Sequence, residues 1–241
     1  MKTLSIIALS IVSFLSCNQA TEGNTETIKE KESKPVELVQ ASLTDTTFTF
    51  EDYETGKIPN GWSQYFTGKG ESTEWKIIDD AGSKVLAQLS SDNPNYHFNE
   101  IVYNGFNLKN VELTVKLKGV AGKKDQGGGF VWRFTDKDNY YVVRANPLED
   151  NVVLYKVKNG KRTDLPLVGQ GRTYGVDVEK LGSGWNTLKL KVVDDLFTVY
   201  LNDKQIFQVK DNTFTNAGKV GLWTKADAVS NFDDFQVTIV R

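Results

Sequence analysis

The sequence predicts an all-β sandwich. Three observations carry this: apolar and polar residues alternate with period two in one segment after another, turn residues interrupt the alternation at short intervals, and helical periodicity is hardly visible. The chain has 241 residues, 39% hydrophobic and 25% charged. That is room for one domain with appendages and the balance of a soluble globular protein.

In chain order, the first element is a leader. Met1-Lys2 is a short basic start, and Leu4 to Leu15 is an apolar run too short to span a bilayer, which reads as a removable signal over residues 1–16. The run closes on Phe14-Leu15-Ser16-Cys17, which resembles the lipobox of bacterial lipoproteins, with Phe14 in place of the commoner Leu. Cys17 is the one cysteine of the chain, so an internal disulfide and a thiolate metal cluster are excluded and lipidation is its expected fate. Acyl chains contribute about 0.8 kcal/mol per buried CH₂, so two or three anchor a soluble domain firmly. The expected location is the bacterial cell envelope, membrane-anchored through the lipid on Cys17. A tether follows over residues 17–45, rich in Thr, Glu, Lys, Gln and Ser and without an aromatic residue. A short helix over Thr27 to Ser33 would have only Ile28 as an apolar anchor, and no function is assigned to it.

The sandwich domain is expected over residues 46–241. Phe48-Thr-Phe50 alternates, then Gly56, Pro59 and Gly61 break the chain before Trp62, and Trp75 begins the next extended piece. Val111 to Leu117 alternates without a fault, which implies one buried and one polar face. Phe130 to Phe134, Tyr140 to Arg144 and Val152 to Lys158 follow at hairpin spacing. Asn159-Gly160 is a type I′ hairpin signal, because both residues tolerate positive φ. Leu188 to Val192 and Phe197 to Leu201 are joined by a turn at Asp194-Asp195, and Lys219 to Lys225 and Phe232 to Val240 complete an antiparallel set. Two sheets face to face are the simplest way to bury so many amphipathic strands.

The chemistry is sparser. A net charge of −2 with scattered lysines offers no footprint for a polyanion, so nucleic acid is not an expected partner. A glycosidase needs two carboxylates on one cleft, about 5 to 9.5 Å apart according to mechanism. Asp177 and Glu179 point together away from Val176 and Val178, as a solvated outer face would, and Glu100, Glu149 and Asp227 sit in turns or at strand ends with no spacing that pairs them. Gln126-Gly127-Gly128-Gly129 precedes a strand and suits either a tight turn or bulge or close approach of a ligand, and it is no phosphate loop. In that strand Phe130, Trp132 and Phe134 are expected on one core face, with Val131 and Arg133 on the other. Arg133, Arg144 and Lys225 either scatter as surface charges or converge as a polar floor, with Trp223 as an apolar platform for a sugar ring. His97 is the one histidine and has no partner spacing for a triad or a metal. Glu51-Asp52 and Asp233-Asp234 are either solvated acids or, through Glu51 and Asp234, oxygen ligands of a structural calcium.

Four motifs, Asp125-Gln-Gly-Gly-Gly-Phe-Val-Trp-Arg-Phe134, Asn139-Tyr-Tyr-Val-Val-Arg-Ala-Asn-Pro147, Val153-Leu-Tyr-Lys-Val157 and Val220-Gly-Leu-Trp-Thr-Lys-Ala-Asp227, resemble a family of secreted bacterial sandwich proteins. That family is similar to the concanavalin A-like lectins and glucanases and to the 3-keto-disaccharide hydrolase domain. The likeness spans Phe48 to Val240. It implies a jelly-roll sandwich whose concave face meets carbohydrate, here around Arg133, Arg144, Asn146, Trp223 and Lys225. Laminarinase-type members carry glutamates flanking an aspartate, and this chain has no Glu-x-Asp, so that mechanism is not expected. Three functions stay open: a carbohydrate-recognising domain, a glycoside hydrolase acting on keto-disaccharides or related glycans, and a non-catalytic structural envelope protein.

Overall fold

The computed structural model describes residues 44–241. The leader, Cys17, the helix considered over Thr27 to Ser33 and all but the last two residues of the expected tether lie outside the described residues. All regular structure among those described is strand. The chain begins with β1 (Thr46–Phe48), β2 (Trp62–Gly68), β3 (Trp75–Asp80), β4 (Ser83–Gln88), β5 (His97–Leu108) and β6 (Val111–Ala121). It continues through β7 (Gly128–Asp136), β8 (Asn139–Asn146), β9 (Asn151–Lys158), β10 (Lys161–Asp164) and β11 (Val176–Asp177). The last five are β12 (Asn186–Val193), β13 (Leu196–Leu201), β14 (Lys204–Lys210), β15 (Gly218–Lys225) and β16 (Val229–Ile239).

These strands form two antiparallel sheets. One runs β14-β13-β12-β6-β16-β4-β3, with β1 on the flank of β16; the other runs β10-β9-β8-β7-β15-β5-β2, with β11 on β9. The first behaves as alternation predicts: Val111, Leu113, Val115 and Leu117 of β6 and Leu188, Leu190 and Val192 of β12 face the core, while their neighbours are half-buried or exposed. The inter-sheet core takes Ile101, Phe130, Trp132, Tyr141, Val143, Leu154 and Leu222 from the second sheet. The Asn159-Gly160 hairpin forms as expected, with φ of 50° and 71°.

The second sheet is buried on its other face too. Phe98, Val102, Val131, Phe134, Tyr140, Val142, Val153, Tyr155, Val157 and Trp223 form a second apolar cluster there, with Tyr65 packed against it. The sheet curls until its two sides meet. Thr67 of β2 bonds to the Tyr140 hydroxyl of β8 at 2.8 Å and donates to the Lys137 carbonyl. Further along, the Tyr96 hydroxyl donates to the Gly160 carbonyl at 2.9 Å and accepts from the Arg162 N–H at 3.0 Å. The Arg162 guanidinium lies 4.8 Å from the Phe98 ring centre and 4.3 Å from that of Tyr155, closing the curl from above.

The glycine run serves this packing. A Cβ on Gly129 would collide with the Val143 carbonyl oxygen of the neighbouring strand, and one on Gly128 would stand 2.8 Å from the Phe232 ring. The run is therefore close strand and sheet contact, with no cradle for a ligand.

Candidate functional site

One group of polar residues of the curled sheet gathers at a rim, where β7 begins, β8 and β15 end and the 122–127 and 225–228 loops lie. Arg144, near the end of β8, is 2% exposed, because the strand faces the second core there. Its guanidinium donates to the Glu149 carboxylate at 2.7 Å, to the Tyr155 hydroxyl at 3.3 Å, to the Asn151 carbonyl at 3.3 Å and to the Asn151 side-chain oxygen. Burial alone would raise the Glu149 pKa, but the Arg144 charge and hydrogen bond, with Lys225 nearby, hold it below the usual carboxylate range.

Lys225, at the end of β15, donates to the Asp125 carboxylate at 2.9 Å. The other oxygen of Asp125 accepts the Gly127 N–H at 2.7 Å, an Asx turn that fixes the loop entering β7. Asp227 accepts the N–H groups of Lys123, Lys124 and Asp125 at 2.9 to 3.1 Å. Burial would raise its pKa, but these backbone donors keep it low. The 91–96 loop joins the rim through Lys124, whose ammonium donates to the Asn93 carbonyl at 3.0 Å.

Tyr174 completes the rim. Its φ is +56°, a conformation costly for a bulky residue, and Gly175 follows at +78° against β9. Tyr174 is 49% exposed, and its hydroxyl stays 3.1 Å from that of Tyr155, which Arg144 also contacts. Leu148, in the β8–β9 turn beside Glu149, is 47% exposed. Asn146 accepts the Leu148 N–H at 3.0 Å, while its own buried side-chain NH₂ has no partner among the described residues. An unmade buried donor costs about 1–3 kcal/mol.

Of the five residues expected to share a concave binding face, the structure brings Arg144, Asn146 and Lys225 to this rim and separates the other two. Trp223 is fully buried, with its ring 5.5 Å from that of Phe98, because the curl closes over the face on which it was expected to offer a platform. Arg133 lies about 13 Å further along the strand direction, four residues past the Gly129 that pairs with Arg144. It sits at a β-bulge with φ of +47°. Its side chain, 2% exposed, donates to the backbone carbonyls of Lys109, Phe214 and Asp194, tying three connections together. The bulge also moves Phe134 away from Phe130 and Trp132 into the second core, where it lies on Tyr140.

The remaining acids divide clearly. Asp177 and Glu179 are exposed and line a separate cleft of about 450 Å³ with Val178, Leu201 and Ile206, which shares no residue with the rim. Glu100 was expected at a turn or strand end and lies within β5 instead, fully buried beside its ladder partner Trp223. One carboxylate oxygen accepts from Tyr140 at 2.7 Å and lies 2.9 Å from the Thr67 hydroxyl, and the other has no partner among the described residues. Burial pushes its pKa up to about 8.

Near the chain's two ends, Glu51 accepts from Ser83 at 2.6 Å and from the Lys84 N–H at 3.1 Å, and Asp234 pairs with Lys116 at 2.7 Å. Calcium takes six to eight oxygens. Among the described residues no three Asp, Glu, His or Cys side chains converge on a metal position. His97 is buried, stacked on Phe66 at 4.8 Å and bonded to the Lys69 carbonyl at 2.6 Å.

Sequence reasoning passed over Tyr174 as a site residue and set Glu149 aside. The available signal was an aromatic ring before a glycine in the polar stretch Gln170 to Gly175, and an acid in a turn that immediately follows the Arg144 strand.

No protein-family model and no curated protein matches the chain. Solved structures do. The carbohydrate binding module CBM66 from Bacillus subtilis superposes with a TM-score of 0.54 at 20% identity, over 73% of this chain and 93% of that one. The cellulose induced protein Cip1 gives 0.57 at 13% identity, over 81% and 98%. The GH43 protein BlXynB from Bacillus licheniformis gives 0.56 at 15% identity, over 80% of this chain and 39% of that one. At these identities the likeness establishes the fold: the chain is an all-β jelly-roll sandwich of two antiparallel sheets, one of them curled into a half-barrel.

Proposed function

We propose that the described domain recognises carbohydrate without cleaving it, at the Arg144–Glu149–Tyr174 rim, and that it is carried on a lipid at Cys17 in the bacterial envelope. The observation that carries the reading is the combination at this rim of a buried, fully held arginine, a half-exposed carboxylate and an exposed tyrosine ring on strained backbone. Sugars offer hydroxyl pairs and an apolar ring face. A positioned carboxylate accepts from the former, and an aromatic ring packs on the latter. The unpartnered Asn146 amide adds a buried donor at the same rim. The carbohydrate-binding and glycoside-hydrolase contexts of the structural neighbours support this reading over a purely structural one.

Hydrolysis is the weaker reading because it needs a carboxylic acid that is both protonated near neutral pH and open to the ligand. Glu149 is open but held ionised by Arg144, and Glu100 holds its proton but is sealed inside the curl. Calorimetry of the purified full chain against a broad glycan panel, with product chromatography alongside, tests the proposal. We expect binding without released sugar, weakened about tenfold by Tyr174→Ala at an unchanged melting temperature. Released sugar, or binding that Tyr174→Ala leaves intact, overturns it.

A further inference from the structure

We infer that the ligand is an extended oligosaccharide, which continues from the rim past the 147–150 turn to a second aromatic contact at Trp185, on the outer face of the other sheet. The inference rests on the carbohydrate reading above and goes beyond it by naming the length class of the ligand and a further binding residue.

Trp185 stands apart from the other tryptophans. Trp62, Trp75, Trp132 and Trp223 are at most 6% exposed, whereas Trp185 is 40% exposed. A lone exposed apolar side chain needs no explanation, but this one is held in position. It directly precedes Asn186, which pairs with Leu117, so it stands opposite Lys118 on the outer side of β6. The Lys118 ammonium lies 4.8 Å from its ring centre. That ammonium is fixed in turn by an ion pair with Asp80, whose carboxylate also accepts the Asn231 side-chain N–H at 3.2 Å. An aromatic ring already positioned and in contact with water loses little freedom when a sugar ring packs on it.

The protein surface runs on from Glu149 to Trp185. The 147–150 turn, which carries Glu149, lies against the end of β6: a Cβ on Gly119, the neighbour of Lys118, would stand 3.1 Å from the Pro147 ring. The same turn holds the loop that leads to Trp185. Asp150 accepts the Val178 N–H through its carbonyl at 2.8 Å and the Leu181 N–H through its carboxylate at 2.9 Å. Leu148 in the turn and Val120 at the end of β6 are both exposed. Tyr174, Leu148, Val120 and Trp185 thus form a broken apolar track with Glu149 and Lys118 along it, as a sugar chain with its apolar faces and hydroxyl edges requires. Tyr174 and Trp185 lie on different sheets, and packed sheets are about 10 Å apart, so a single sugar ring cannot reach both.

Cello-, xylo- and malto-oligosaccharides of one to six units, titrated by calorimetry onto the full chain and onto Trp185→Ala, test the inference, with acrylamide quenching of tryptophan emission alongside. Because the other four tryptophans are buried, quenching reports on Trp185. We expect affinity to rise about tenfold from the shortest member that binds to the hexamer, and the hexamer to shield the emission from acrylamide. Trp185→Ala should erase that gain, at an unchanged melting temperature, and leave the short member's affinity as it was. An affinity that does not rise with length, a gain that Trp185→Ala leaves in place, or quenching that the hexamer does not reduce overturns the extended ligand while leaving recognition at the rim standing. No binding by any member removes both.

Discussion

Glu100 ties the stability of the domain to pH, in a direction opposite to that of most carboxylates. Buried between β2, β8 and β15, it is held by Thr67 and Tyr140 on one oxygen and by no described residue on the other, and its pKa rises from 4.5 to about 8. Between those two values the folded state binds a proton that the unfolded chain has released, so stability falls as pH rises through the window. The contribution is whole below about pH 4.5 and is lost progressively toward pH 8. Each pH unit is worth about 1.4 kcal/mol, so about 3 kcal/mol has gone by pH 7 and about 5 kcal/mol by pH 8.5. Glu100→Gln cannot titrate. Guanidinium denaturation at pH 5, 7 and 8.5, followed by tryptophan fluorescence, measures both proteins, and subtracting one from the other cancels every other titrating group. Gln leaves two amide hydrogens unpaired and is expected to be the less stable at pH 5, with the difference closing or reversing by pH 8.5. A difference that stays constant across the three values would refute the burial argument.

Two further substitutions test the architecture. Arg133→Ala removes the donor to three backbone carbonyls and empties a buried side-chain site, and is expected to cost about 3 kcal/mol by denaturant unfolding; a loss below about 1 kcal/mol would mean that water satisfies those carbonyls as well. Gly129→Ala drives a methyl group into the Val143 carbonyl across the β7–β8 ladder, so the variant should fail to accumulate as soluble protein, and a melting temperature within a few degrees of the unaltered chain's would contradict the packing described.

The sequence was legible where a strand has one wet face. The β6 and β12 strands alternate cleanly because lysines, threonines and a glutamate stand outside, and their pattern predicted both the strand and its buried face. Alternation fails for β5, His97 to Leu108, since its first half is buried on both sides and mixes His, Asn and Glu with Phe, Ile and Val. That double burial comes from the curl, which depends on residues as far apart as Thr67 and Tyr140, and no local pattern encodes such a contact. The same curl decides why Trp223 could not be the expected platform. The misplacement of Phe134 has a more local origin: one residue in the left-handed region at Arg133 shifts the period by one, and a non-glycine residue there carries no compositional mark. Arg144, Asn146 and Lys225 come together because Asn146 and Lys225 are the last residues of their strands and Arg144 lies two residues before the end of its own, and loops gather where strands end.

The filled half-barrel separates two demands that a hollow one would combine. In an open concave site the residues that touch ligand are also the residues that hold the sheet, so every change of taste risks the scaffold. Here the interior of the curl is occupied by the protein's own rings, and the exposed polar and aromatic groups are displaced to the lip, onto the 122–127, 147–150 and 171–175 segments. Those connections can vary in length and sequence while both cores stay as they are. The domain is thereby organised as a fixed body with an interchangeable mouth, able to change its lip without changing its fold.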